Sequence, residues 1–376
     1  MRIDLERIPI PGQHEAQART WSIVARAFHE RRPSPHRSPW LRVAVVAIAA
    51  ALIGAAALSA PGRAVLDEVR EVVGVERAQP ALFSLPAPGR VLVSSDAGVW
   101  VVQEDGSKRL LGRYREASWS PFGRFVVAAR ENELVALEPM GGIRWTLARR
   151  DVRSPVWTGS EMDTRIAYVD RTGIRVVGGD GLGDRLLVRG GRGPLAWHPG
   201  DGFVLAYADR RGRVVVLDAG TRKVRWRSRP DGRVLDLEWS WNGSRLVARR
   251  ARARDDLAIY TQRGALFTGF RTPRGVLTAA ATRPGTNARA VAIREGAQAR
   301  LLMPDVLRPA LSGPGALSEL TWSPDAGWLL ASWPSADQWV FVRADGKRIR
   351  AASNVAEQFR SGAAPRVEGW CCEPRR

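Results

Sequence analysis

One phrase recurs through most of this chain and constrains its fold more than any other feature: a tryptophan, a serine or its substitute, a proline and a tight turn, followed by an apolar strand. It reads Trp119-Ser120-Pro121-Phe122-Gly123 before Phe125-Val126-Val127-Ala128, then Trp157-Thr158-Gly159 before Ile166-Ala167-Tyr168. It returns as Trp197-His198-Pro199 before Phe203-Val204-Leu205-Ala206, and as Trp239-Ser240-Trp241-Asn242-Gly243 before Leu246-Val247-Ala248. A decayed fifth copy, Thr282-Arg283-Pro284-Gly285, precedes Ala290-Val291-Ala292-Ile293, and a sixth, Trp322-Ser323-Pro324-Asp325, precedes Trp328-Leu329-Leu330-Ala331. The steps between anchor positions are 38, 40, 42, 43 and 40 residues, the length of a four-stranded propeller blade.

Within a period the other strands follow from alternation and turn residues. Val214-Val215-Val216-Leu217, the turn at Asp218-Ala219-Gly220 and Lys223-Val224-Arg225-Trp226 make a hairpin. No helical period interrupts residues 90–350, which excludes a helical solenoid. The ends set the blade count. Before the first full repeat stand three strand-like runs, at Val91-Leu92-Val93, Val99-Trp100-Val101-Val102 and Arg109-Leu110-Leu111, one strand short of a blade. After the last repeat, Arg366-Val367-Glu368-Gly369-Trp370-Cys371-Cys372 has the approach to an anchor with no strand behind it. Pairing this strand beside the first three closes the ring and removes two sheet edges. The expected fold is therefore an all-β, seven-bladed propeller, with six blades and an unpaired tail as the alternative.

The phrase Trp322-Ser323-Pro324-Asp325-Ala326-Gly327, with weaker copies at Trp119, Trp197 and Trp239, resembles the repeat of TolB-like propellers, relatives of the WD-repeat propellers. The resemblance covers roughly residues 90–372. Two copies depart from it, since the one at Trp157 lacks the proline and the one at Thr282 lacks the tryptophan. The resemblance implies a binding platform and specifies no activity. The anchors Trp119, Trp157, Trp197, Trp239, Thr282, Trp322 and Trp370 read as packing between blades, while Trp333 and Trp339 fall outside the register and are better placed for a surface contact.

Ahead of the repeats, Val43 to Ala60 is an uncharged apolar run of eighteen residues. As a helix it would reach about 27 Å, enough to cross a hydrocarbon core of about 30 Å. Trp40 and Arg42 stand at one border and Pro61-Gly62 at the other. Forty polar residues ahead of the run, and Pro61 after its small-residue pair, argue against a cleaved signal peptide. Arginines at 26, 31, 32, 37 and 42 outweigh those at 63, 70 and 77, which places the N-terminus inside and the propeller outside the cytoplasmic membrane. Residues 13–32 read as an amphipathic helix whose stripe of Trp21, Val24, Ala25 and Phe28 needs a cover, either a partner's groove or the inner leaflet. This layout resembles membrane-bound regulators of bacterial sigma factors.

The net charge of +20 comes with 55 arginines among 58 basic residues, a skew that looks like genome bias more than a selected phosphate surface. With no nucleic-acid motif beside it, specific nucleic-acid binding is not expected. Chemistry is scarce. The histidines are His14, His29, His36 and His198, and the last stands where other copies carry serine, so a Ser-His-Asp hydrolase has one candidate base and no nucleophile elbow. No metal site or cofactor site is expected. Gly178-Gly179-Asp180-Gly181-Leu182-Gly183-Asp184 precedes a strand and not a helix, so it reads as a hairpin turn. Asn242-Gly243-Ser244 matches a glycosylation acceptor but is equally a repeat turn. Cys371 and Cys372 are adjacent and read first as strand residues facing opposite sides, with a strained vicinal disulfide as the alternative.

The expected domains are a tail at 1–40, a transmembrane helix at 41–60, a juxtamembrane linker at 61–80 and the propeller at 81–376. The expected function is a membrane-anchored, non-enzymatic binding or sensing module with a protein partner, such as a sigma factor held by Trp21, Val24, Ala25 and Phe28. The alternatives are a propeller hydrolase or lyase, which acidic residues converging on the central channel would favour, and a structural envelope scaffold.

Overall fold

The computed structural model describes residues 84–372 except 161–162, 201, 252–255, 272–274, 305 and 307–308. Its 28 strands form seven four-stranded antiparallel sheets, so the blade count is seven and not six. Blades 2 to 7 each use four consecutive strands and span 116–148, 153–189, 192–227, 233–271, 276–314 and 320–353. Blade 1 takes its inner strand, Arg366–Cys371, from the far end of the chain and sets it beside Arg90–Ser95, with Val91 opposite Trp370 and Leu92 opposite Gly369. The inner strands Glu116–Trp119, Arg153–Gly159, Arg192–Trp197, Arg233–Trp239, Val276–Thr282, Leu320–Trp322 and Arg366–Cys371 neighbour one another in a closed circle.

Burial explains why each blade needs the next. The second strand of blade 2, Val126–Arg130, is buried except at its last residue, whereas the outer strand Ile143–Ala148 is mostly exposed. Seven clusters of buried apolar residues lie at the seams, each shared by two consecutive blades. The one between blades 7 and 1 joins Leu330, Trp339 and Phe341 to Val91, Trp100 and Trp370. The short helix Val355–Gln358 belongs to that seam, and the ring of Phe359 behind it packs edge-on against Trp100 at 5.8 Å.

The repeated phrase has a mechanical reason. In three copies the serine hydroxyl accepts the backbone N–H five residues on, Phe125 to Ser120 at 2.9 Å, Arg245 to Ser240 at 3.0 Å and Trp328 to Ser323 at 2.9 Å. Each serine thus staples the turn between the first two strands of its blade. Asn242 accepts the Ser244 N–H at 3.0 Å, so this asparagine is occupied in shaping the same turn.

The composite fold expected from sequence, a propeller behind a transmembrane helix and an amphipathic helical tail, is corrected: the described residues form an all-β seven-bladed propeller and contain neither helix. Among the described residues no helix is long and apolar enough to cross a membrane, and helix is limited to Val355–Gln358 and a 3-10 turn at Pro334–Ala336. The physical reason is length: apolar runs among the described residues fill strands of three to seven residues broken by turns, which never accumulate a span. The runs at 41–60 and 61–80, and Trp21, Val24, Ala25 and Phe28, lie outside the described residues.

Closure makes one prediction. Trp370 is 7% exposed, packs edge-on against Phe341 at 5.8 Å and donates its indole N–H to Pro88 O at 3.1 Å. Trp370→Ala is expected to lower unfolding free energy by about 3–5 kcal/mol in a denaturant titration; a loss below about 1 kcal/mol, the scale of an ordinary surface substitution, contradicts a closing role.

Candidate functional site

Alternation along an inner strand turns successive side chains to opposite sides, so residues just before an anchor approach the axis or the next blade. Four blades place carboxylates there. Glu116 stands three residues before Trp119, Glu238 one before Trp239, Glu319 three before Trp322 and Glu368 two before Trp370. Asp236 shares the inner strand of blade 5 with Glu238.

Electrostatics shows that these groups converge. Burial raises the pKa of Glu368 most, Arg366 opposes it, and the neighbouring charges of Glu116 and Glu319 raise it further, so acids from blades 1, 2 and 7 sense one another. Burial likewise raises Glu319, against the Ser318 hydroxyl, which donates to it, and Arg366. Arg249 of blade 5 lowers both Asp236 in its own blade and Glu319 in blade 7. Blades 5 and 7 are not neighbours, so one guanidinium can influence both only across the axis. Desolvation raises the pKa of Asp236 most, against the opposing charge of Arg249 and the Leu237 N–H that it accepts.

The cluster is incompletely satisfied. Glu368 Oε1 and Arg249 Nε have no hydrogen-bond partner, and Arg366 Nη2 stands 3.8 Å from Glu368 Oε1, beyond hydrogen-bond length. Arg289, which lowers Glu238, leaves Nε and Nη2 unpartnered. Glu238 is held differently. It accepts the Thr282 N–H at 3.0 and 3.1 Å and the Thr282 hydroxyl at 3.1 Å, which ties blade 5 to blade 6, and burial pushes its carboxyl up to about 7. Glu116 makes the matching tie by accepting the Ser154 N–H of blade 3.

The anchors sit at the seams. Trp197, Trp239 and Trp322 each donate an indole N–H to the preceding blade's inner strand, at Val156 O (3.0 Å), Ala196 O (3.3 Å) and Ala281 O (3.2 Å). Trp119 and Trp157 stand at the same register with their indole nitrogens unpartnered, and Thr282 replaces the indole with its bonds to Glu238. Trp339, expected at the surface, is fully buried and stacks at a tilt 5.0 Å from Phe359. Trp333 is partly buried and bonds Pro314 O at 2.8 Å. His198 packs edge-on against Trp239 at 4.8 Å, and burial lowers its pKa, which keeps it neutral near pH 7. Cys371 and Cys372, read first as two separate strand residues, are joined as the vicinal disulfide that was the alternative. Among the described residues no three of His, Cys, Asp and Glu are placed to hold a metal ion. The axial acids were not singled out from sequence; the available signal was an acidic residue one to three positions before four of the seven anchors.

No protein-family model and no curated protein matches this chain. Among solved structures it is similar to a chain of the "Crystal Structure of Mitotic Checkpoint Complex", at 15% identity and a TM-score of 0.48, over 69% of this chain and 87% of that one.

The shift of Glu238 has a direction in pH. The unfolded carboxyl loses its proton near 4.5 and the folded one near 7, so the folded protein retains a proton that the unfolded chain has released. Its contribution is present in full below about 4.5 and is lost as pH rises through about 7. Glu238→Gln is expected to gain on the order of 3 kcal/mol relative to the parent between pH 4 and pH 8 in paired denaturant titrations; parallel pH profiles contradict the assignment.

Proposed function

We propose that this propeller is a non-enzymatic binding platform whose axial cluster receives a basic side chain of a protein partner. One observation carries the reading: in a chain of net charge +20, inner-strand carboxylates from blades 1, 2 and 7 sense one another, and Glu368 Oε1 makes no hydrogen bond within the protein although Arg366 stands near it. Desolvation and like charge raise these acids, and an incoming guanidinium or ammonium relieves both by restoring a partner to the charged form. The closed ring holds the groups in place beforehand, which limits the ordering cost of binding. Binding therefore releases protons and strengthens as pH rises through the acids' titration.

The finer expectation, control of a cytoplasmic partner such as a sigma factor through Trp21, Val24, Ala25 and Phe28, rests on the apolar stripe of those residues in the sequence. A second reading, a hydrolase or lyase working through the axial acids, is favoured by the Glu238 carboxyl, since a group titrating at about 7 suits general acid–base work. Its engagement by Thr282 on both oxygens favours a seam tie instead.

Two measurements decide between these readings. On an array of randomised peptides, the purified protein is expected to select lysine- and arginine-bearing sequences, and the double variant Glu319→Gln, Glu368→Gln to lose about tenfold or more in affinity for them; equal binding by parent and variant refutes the platform. In a panel of glycoside and ester substrates the platform gives no turnover, whereas turnover abolished by Glu238→Gln establishes the enzyme.

A further inference from the structure

Two seams carry an indole from the outer strand of one blade to a turn of the next. Trp145 of blade 2 donates to Gly179 O at 2.9 Å, and Trp226 of blade 4 donates to Gln262 O at 2.9 Å. Each is the third residue of its strand, Ile143–Ala148 or Val224–Arg227. The outer strand of blade 3, Arg185–Arg189, has Leu187 at that place and reaches blade 4 with Arg185 instead, whose Nη2 donates to Ala219 O at 2.6 Å.

Arg165 joins it on the same face of blade 3. Arg185 stands opposite Val176 and Val176 opposite Ala167, two residues along from Arg165, so period-2 alternation turns all of them to one side. The Arg165 guanidinium lies 3.8 Å from the centroid of Phe203 in blade 4. A third arginine, Arg222, is exposed on the blade 4 turn that follows Ala219. Burial lowers the pKa of Arg185 most, and the positive charges of Arg222 and Arg165 lower it further, so Arg185 senses both.

A cavity of about 480 Å³ opens beside Arg165 and Arg185, bounded by Thr164, Val176 and the glycine-rich turn at 178–183. At Gly179 a side chain would overlap the Thr164 hydroxyl, so glycine there leaves that hydroxyl its room. Two carboxylates also line the cavity. Asp163 pairs with Arg165 at 3.3 Å and Asp180 accepts the Leu182 N–H at 2.9 Å, which leaves Arg185 and Arg222 without a carboxylate among the described residues.

We propose that this cavity, beside the seam between blades 3 and 4, binds a phosphate-type dianion, held by Arg185, Arg165 and the Thr164 hydroxyl, with Arg222 reaching to it from the blade 4 turn that Arg185 bonds. A guanidinium carries five N–H donors in a planar fork, and Arg185 uses one of them on Ala219. Guanidinium groups lining one cavity, with a third on the turn that Arg185 bonds, suit the oxygens of a dianion, and the ligand relieves the repulsion of these cations on Arg185. The volume is in the range of small-molecule sites, so it takes free phosphate or the phosphoryl group of a small monoester. The glycine-rich turn contributes space, while the recognising charge comes from the outer strand of one blade and a turn of the other.

The test is isothermal titration of the full chain with inorganic phosphate and, separately, with phenyl phosphate, against chloride at matched ionic strength so that general screening cancels. Saturable binding at one site is expected, weakened about tenfold or more in Arg185→Gln and in Arg222→Gln. Arg222 is exposed, so its variant reports on the site even where Arg185→Gln disturbs the seam. Tighter binding of phenyl phosphate assigns the cavity to a monoester, and equal affinities assign it to the free ion. Absence of saturable heat with both ligands, or affinities unchanged in both variants, overturns the proposal. Neither variant touches the axial acids, so the outcome is separate from that of the peptide array.

Discussion

The pairing of Arg366–Cys371 with Arg90–Ser95 is the constraint on which the rest of this molecule depends. Every hydrophobic cluster lies between blades, so each blade is stable only with a neighbour on both sides. An open row of blades would leave one apolar face uncovered at each end. The strand that closes the ring turns those two faces toward each other, and the cluster built on Trp100, Trp339, Phe341 and Trp370 is the result. The backward indole bonds of Trp197, Trp239 and Trp322 fix the spacing of consecutive blades from the inside.

Closure also creates the electrostatic environment of the axis. Glu116, Glu319 and Glu368 are more than forty residues apart in sequence and belong to three blades, yet they influence one another because the inner strands form one small circle. Low local dielectric makes each unpaired charge costly and each new partner valuable. The ties from Glu238 to Thr282 and from Glu116 to Ser154 use the same residue type for a different purpose, binding one inner strand to the next. The axis therefore combines carboxylates already engaged by backbone with carboxylates that are not.

The blades were legible because their cause is local. A serine that staples a turn and a tryptophan that bonds the preceding blade need the same spacing each time, so Ser120, Ser240 and Ser323 and the anchors recur with a visible period. Even the split blade could be read, since Val367 to Trp370 repeats the approach to an anchor. The axial site was harder to see, because its members are joined by ring geometry and no single repeat contains more than two of its acids. Thr282 looked like decay in sequence and proves to be the partner of Glu238. Trp339 looked exposed because it misses the anchor register, but a middle strand of a blade is buried on both faces. The arginines of the seam between blades 3 and 4 were lost in the overall excess of arginine, since nothing in composition separates a neutralised guanidinium from an unneutralised one.

The split blade has a consequence for the life of the chain before it is folded. Trp370 and Pro88, hydrogen-bonded in the finished ring, are 282 residues apart, so the contact that completes the barrel of blades joins almost the first strand to the last. During synthesis the early blades leave the ribosome without that strand, and the Arg90–Ser95 edge waits in the open until Arg366–Cys371 has been made. Such long-range pairing is slow, because the entropy of closing the loop is lost before the contacts that compensate it can form. The strand Arg366–Cys371 thus decides when the whole propeller becomes cooperative, and until it is made the nascent blades form a row with two sticky ends.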